Sequence, residues 1–160
     1  MIRCRPATLA LAAVAMLAAT TTAQAACIDD TLAHAARLHE FEMMTMNASL
    51  RCSLQGIDWR GHYEAMVTAH QARFDGAAQA LQAFFAGGGP VDPRHGGAWD
   101  RYATLIANRY GGGSTTPEAC RAFDAVVVEV TRAAPDDRTL LTVARAMVEH
   151  PLLERATCAQ

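Results

Sequence analysis

The sequence predicts an all-α fold, an antiparallel bundle of four to five helices held by two disulfides. Three observations carry this expectation. Apolar residues recur at steps of three and four through most of residues 29–149, the period of amphipathic helices, and no alternating strand pattern persists. Glycine runs and prolines punctuate these stretches at Gly87-Gly88-Gly89-Pro90, Gly111-Gly112-Gly113 and Pro151, as helix ends require. Four cysteines follow residue 26, an even set of the kind that forms a disulfide framework.

Residues 1–25 read as a secretory signal peptide. Arg3 and Arg5 supply the positive start, Leu9 to Ala19 the apolar run, and Ala23-Gln24-Ala25 a cleavage site with small residues at both recognition positions. The apolar run is shorter than the ~20 residues a membrane-spanning helix needs. That length argues against an uncleaved anchor. Gln24 stands where a lipid-attachment signal before Cys27 would carry an aliphatic residue. Cleavage after Ala25 would leave residues 26–160 as a single domain, long enough to bury a core.

The first helix of that domain is expected from about Asp29 to Arg51. Its apolar stripe is Leu32, Ala35, Ala36, His39, Met43, Met46 and Leu50, and Asp29 or Asp30 suits its positive end. The second is expected from Trp59 to Ala86 as one continuous helix. Asp58 would be its N-cap and Tyr63, Met66, Val67, His70, Phe74, Ala77, Leu81 and Phe84 its inner face. Gly76 is an interior weak point or a site of close helix approach. The third spans about Gly97 to Tyr110, with Trp99, Tyr102, Ala103, Ile106 and Tyr110 on one face.

Thr116-Pro117-Glu118 opens a fourth helix with a hydroxyl cap, proline at the first position and an acid in the first turn. Its Val126-Val127-Val128 run is β-branched, but the flanks are helical. Pro135 and Asp136 open a fifth, running to about Glu149 with Leu140, Leu141, Ala144, Met147 and Val148 inward.

This map orders the cysteines. A helix of 23 residues is about 34 Å long, so Cys27 and Cys52 stand at opposite ends of the first one. Bridged Cα atoms lie about 4.4–6.8 Å apart. The chain descends the second helix and climbs the third, which returns Cys120 to the end that holds Cys52. The expected pairing is Cys52–Cys120, with Cys27–Cys158 tying the termini. A cysteine metal site is disfavoured, because the sequence has no CxxC and no Cys-His pair at ligand spacing.

Certain strings carry a family resemblance. Leu50-Arg51-Cys52 closes a first helix that begins just after Cys27, and Asp100-Arg101-Tyr102 leads into Ala107-Asn108-Arg109-Tyr110-Gly111, followed within ten residues by Cys120. The chain up to Cys120 resembles a group of small exported proteins of alphaproteobacteria, of unknown function. Members are sometimes labelled S-adenosyl-L-homocysteine hydrolase. The resemblance implies fold and compartment, and carries over no catalytic residues. The sequence itself does not support the label, because no Gly-x-Gly-x-x-Gly follows a strand and no strand–helix alternation exists.

Charge excludes further classes. The chain holds 14 cationic side chains, all arginine, against 16 carboxylates. Removing Arg3 and Arg5 leaves 12 against 16, a net charge of −4 with histidine neutral. Such a surface does not suit nucleic acid or a polybasic membrane contact. No second apolar segment past the signal is long enough to span a membrane.

The chemistry-bearing residues each have a bland reading beside a sharp one. His39, Met43 and Met46 share a helical face, and imidazole with thioethers suits Cu(I); the same spacing is that of a core stripe. His39-Glu40 opens like a zinc-protease motif, but Met43 occupies the second histidine's place. His62 and His70 would stand about 12 Å apart along a helix, too far to share a metal. Glu40, Glu42 and Glu64 fit solvated faces. Asp100, Thr104 and Asn108 form a ladder flanked by Arg101 and Arg109, either a wet face or a polar network reaching the loop before Cys120. The glycine runs follow helices rather than strands, so they are not phosphate loops.

No catalytic constellation and no cofactor motif is legible. The sequence therefore points to a periplasmic or secreted binding, structural or accessory module rather than an enzyme. Its alternatives are a Met/His copper-binding protein and an envelope inhibitor or immunity-type protein with a protein partner.

Overall fold

The computed structural model describes residues 28–87 and 97–153, and all regular structure among them is helical. Six α-helices follow in order: α1 Asp30–Ser53, α2 Arg60–Ala69, α3 Gln71–Phe85, α4 Ala98–Gly111, α5 Pro117–Arg132 and α6 Asp137–Met147. They make four legs. The ascending legs are α1 and α4, which run side by side: Tyr102 reaches Glu40 and the Tyr110 carbonyl reaches Arg51. The descending legs are α2–α3 and α5–α6. Trp59 at the head of α2 stacks on Phe123 with ring centroids 6.4 Å apart, and His70 at its foot meets Val130. Arg145 near the end of α6 meets His34 near the start of α1. The expected antiparallel bundle is therefore present, with two of its legs broken.

Local chemistry sets the boundaries as expected in several places. Asp29 caps α1, its Oδ1 accepting from Leu32 N at 2.8 Å. Thr116 caps α5 by accepting from Ala119 N, with Pro117 at the first helical position. The Val126–Val128 run is helical. Gly56 closes α1 at φ +77°, while Gly56 N and Ile57 N return to Ser53 O and Cys52 O. This is the paired closure a left-handed residue permits.

Four expectations are corrected. Residues 59–86 do not form one helix: His70 adopts φ −117° and ψ 20° between α2 and α3. The break survives in an apolar stripe because the His70 ring is bonded to another leg, which outweighs local propensity. Asp58 is not at the N-cap of α2, which is Trp59, but one residue before it. It accepts from Arg60 N at 3.1 Å and pairs with the Arg60 guanidinium. Gly76 is not a site of close helix approach, since a Cβ there would meet nothing within 4 Å. The last helix begins at Asp137, capped by Asp136, and stops at Met147 rather than Glu149.

The core explains why one stripe did not describe α1. Ala33, Ala35, Ala36, Leu38, Phe41, Ala48 and Cys52 are all buried on it. Consecutive buried residues cover more than one face, as on a helix surrounded by others. Alanine lets those neighbours approach. Thr45 and Ser49 are buried there too, their hydroxyls donating to Phe41 O and Met46 O. Leu50, expected inward, is 47% exposed, and Leu141 is also exposed.

Candidate functional site

Cys52 and Cys120 are bonded, with Cα atoms 5.7 Å apart and both residues fully buried. The helix map had placed both at one end of the bundle, and so they are. Cys27 and Cys158 lie outside the described residues, as do residues 1–25. Side chains from the end of α1 and the turn after it tie this end further. Arg51 donates to Thr115 Oγ1 at 2.9 Å and to the Tyr110 carbonyl, and Gln55 donates to Thr115 O at 2.8 Å. The loop before Cys120 is thus held by Arg51 and Gln55, and Asn108 is exposed, as on a wet face.

The most unusual chemistry sits halfway along α1. Glu40, expected on a wet face, is 0% exposed. Its Oε1 accepts from the Leu152 backbone N–H at 2.6 Å and the Tyr102 hydroxyl at 3.3 Å. Its Oε2 accepts from the Tyr110 hydroxyl at 2.9 Å. Three elements therefore converge on one carboxylate: α1 supplies it, α4 two phenols, and the turn after α6 a backbone donor. A sequence signal did exist. Glu40 stands four residues after Ala36 and three before Met43, within the spacing of the apolar stripe itself.

Burial raises the Glu40 pKa, while the bonds from Leu152 and the two tyrosines and the charge of Arg109 oppose that shift. Burial, with the charge and bonds of Glu40, pushes Tyr102 and Tyr110 well above the usual phenol range. The tyrosines therefore keep their protons at neutral pH and donate to the ionised carboxylate. The arrangement can hold or release one proton at Glu40. The carboxylate is sealed from solvent.

His39 adjoins this centre in an aromatic cluster. Its ring centroid lies 5.3 Å from Trp99 and 6.4 Å from Tyr102, and Phe85 packs 5.0 Å from Tyr102. Burial lowers the His39 pKa, so the imidazole is neutral at neutral pH. Its Nδ1 is buried without a hydrogen-bond partner, 4.0 Å from Glu42 Oε2. Met43 is half-buried against the core and Met46 half-buried beside it in sequence. Among the described residues, no three His, Cys, Asp or Glu side chains gather as metal ligands do.

Asp100 and Arg109 take local roles on α4. Asp100 accepts from Gly97 N at 3.2 Å, closing the start of the helix. Arg109 lies over the Tyr110 ring at 5.5 Å. Asp100, Arg101, Thr104 and Leu105 line an open cleft of about 440 Å³ on the outer face. The two histidines of the second leg separate. His62 is exposed and pairs with Asp124 at 2.6 Å, and His70 is buried at the break.

Fold and site together define a disulfide-stapled all-helical bundle with a buried carboxylate at its centre. No family model, curated protein or solved structure matches this chain. No described helix is long and apolar enough to cross a membrane.

Proposed function

We propose that this protein is an exported helical module of the periplasm or cell exterior, cut after Ala25, with a binding, structural or accessory role. The observation that carries this reading is the buried Cys52–Cys120 bond, because such bonds persist in oxidising compartments and are rare in the cytosol. The use of polar groups supports the non-catalytic part. Glu40, Arg51 and Asp100 all bond to backbone within the fold. A second disulfide, Cys27–Cys158, completes the proposal. Ile28 and Leu153, the outermost described residues, both belong to the core.

Expression of the full chain in a bacterial host, followed by fractionation and mass spectrometry, tests this. The expected product lies outside the cytoplasm, begins at Ala26 and resists alkylation at all four cysteines until reduced. Retention in the cytoplasm as a precursor, or reaction of Cys158 without reduction, would overturn the corresponding part.

A second reading, Cu(I) binding, is favoured by one observation: the neutral, buried His39 with its unpartnered Nδ1. Imidazole and thioether donors suit that ion. An anaerobic Cu(I) titration should show binding that Met43→Leu with Met46→Leu removes. Unchanged affinity in the double variant eliminates the site.

A further inference from the structure

The two descending legs break at the same level, and the breaks face each other. Between α5 and α6 the break comes with Pro135, which has no N–H. Ala134 N bonds to Thr131 O at 3.2 Å, so the Val130 carbonyl lacks its helical donor. His70 Nε2 takes that place at 3.1 Å. A carbonyl only accepts, so Nε2 carries a proton. The other leg breaks at His70 itself, whose carbonyl accepts from Arg73 N and Phe74 N while its own N–H reaches Met66 O.

This fixes what the other ring nitrogen can do. His70 Nδ1 lies 3.6 Å from Asp137 Oδ1 in the first turn of α6. The imidazole is 1% exposed. Asp137 Oδ2 accepts from Arg73 Nε at 2.6 Å, and the Arg73 guanidinium holds the Asp137 carboxyl below its usual pKa, with His70 adding to the effect. In the neutral ring, Nδ1 presents a lone pair to a carboxylate oxygen, and no bond forms. In the imidazolium, Nδ1–H faces the same oxygen as a charge-assisted donor. The charged groups facing the ring are Asp137 from α6 and, behind it, Arg73 from α3; α5 presents the Val130 carbonyl. Ala69, Ala72 and Pro135 complete a cleft of about 370 Å³ around the cluster.

We infer that His70 is a proton-operated clamp between the two broken legs. The imidazolium locks α6 to the α2–α3 break through Asp137, and the neutral ring holds α5 alone through Val130. The clamp goes beyond the proposed export and does not depend on it.

The test uses the purified oxidised protein. Long-range ¹H–¹⁵N imidazole spectra above the histidine titration should show the Nε2–H tautomer at His70. Amide protection, corrected for intrinsic exchange, should be about 10-fold greater for residues 69–73 and 131–138 at pH near 5 than near 8, the gain of one charge-assisted bond. Asp137→Asn should remove that pH dependence, and Arg73→Gln should keep it because the carboxylate remains. An Nδ1–H tautomer, or the same pH ratio in Asp137→Asn as in the parent, overturns the clamp.

Discussion

Glu40→Ala should destabilise the protein by about 3–5 kcal/mol, the range of losses when a buried network is broken, whereas Glu40→Gln should cost far less. The alanine leaves Leu152 N, Tyr102 Oη and Tyr110 Oη without their acceptor, and each buried orphan costs about 1–3 kcal/mol. Glutamine keeps an oxygen for Leu152 N and Tyr102. Its amide can donate to Tyr110 once that hydroxyl turns, because a hydroxyl both donates and accepts. Protonated Glu40 is satisfied in the same way. The pH dependence follows from the raised pKa. The folded protein holds the Glu40 proton more tightly than the unfolded chain, whose carboxyl titrates near 4.5. That contribution is complete below the unfolded pKa and is lost as pH rises through the folded one. Glu40→Gln should therefore compare best with the parent at neutral pH and worst in acid. Urea unfolding at both ends of that range measures it. Equal losses for Ala and Gln, or parallel pH profiles for Gln and parent, would show that the carboxylate is not what Leu152 and the tyrosines require.

The contrast between Glu40 and His70 shows where the sequence is readable. Caps such as Asp29 and Thr116 are local: donor and acceptor lie three residues apart. The Cys52–Cys120 pairing was legible for a related reason, since helix lengths and stops place chain ends without side-chain detail. Glu40 was misread although it falls within the spacing of the stripe, because a carboxylate with no partner nearby in sequence is assigned to water, whereas α1 is buried on more than one face. Its partners lie 62, 70 and 112 residues away, beyond any local pattern. The His70 break is hidden similarly. The apolar steps from Met66 to Phe74 keep helical phase across it, and its cause is a carbonyl on α5 freed beside Pro135. Arg51 and Gln55 read as an ordinary helix end, yet they hold the loop before Cys120. What the sequence conceals is polar groups that satisfy each other across legs.

Removing the staple with Cys52→Ala and Cys120→Ala should cost about 4 kcal/mol, the chain-entropy value for a loop of 68 residues. That is a large share of the roughly 5–15 kcal/mol available to a domain. The loss should arise mainly in the unfolded chain, because the bond joins places that other contacts also hold together. Arg51 and Gln55 bind Thr115, and Trp59 stacks on Phe123, so the folded variant should keep its helical content and its Trp59 environment. The same geometry governs reduction. Both cysteines are fully buried, and exchange requires an attacking thiolate to reach a sulfur. Reduction should therefore proceed through opening of the bundle, and its rate should rise with urea as steeply as unfolding does. A rate insensitive to urea would mean that the α1–α5 junction opens on its own, below the level of global unfolding. In that case Arg51 and Gln55 could not be holding the loop before Cys120 as tightly as their bonds to Thr115 and Tyr110 indicate.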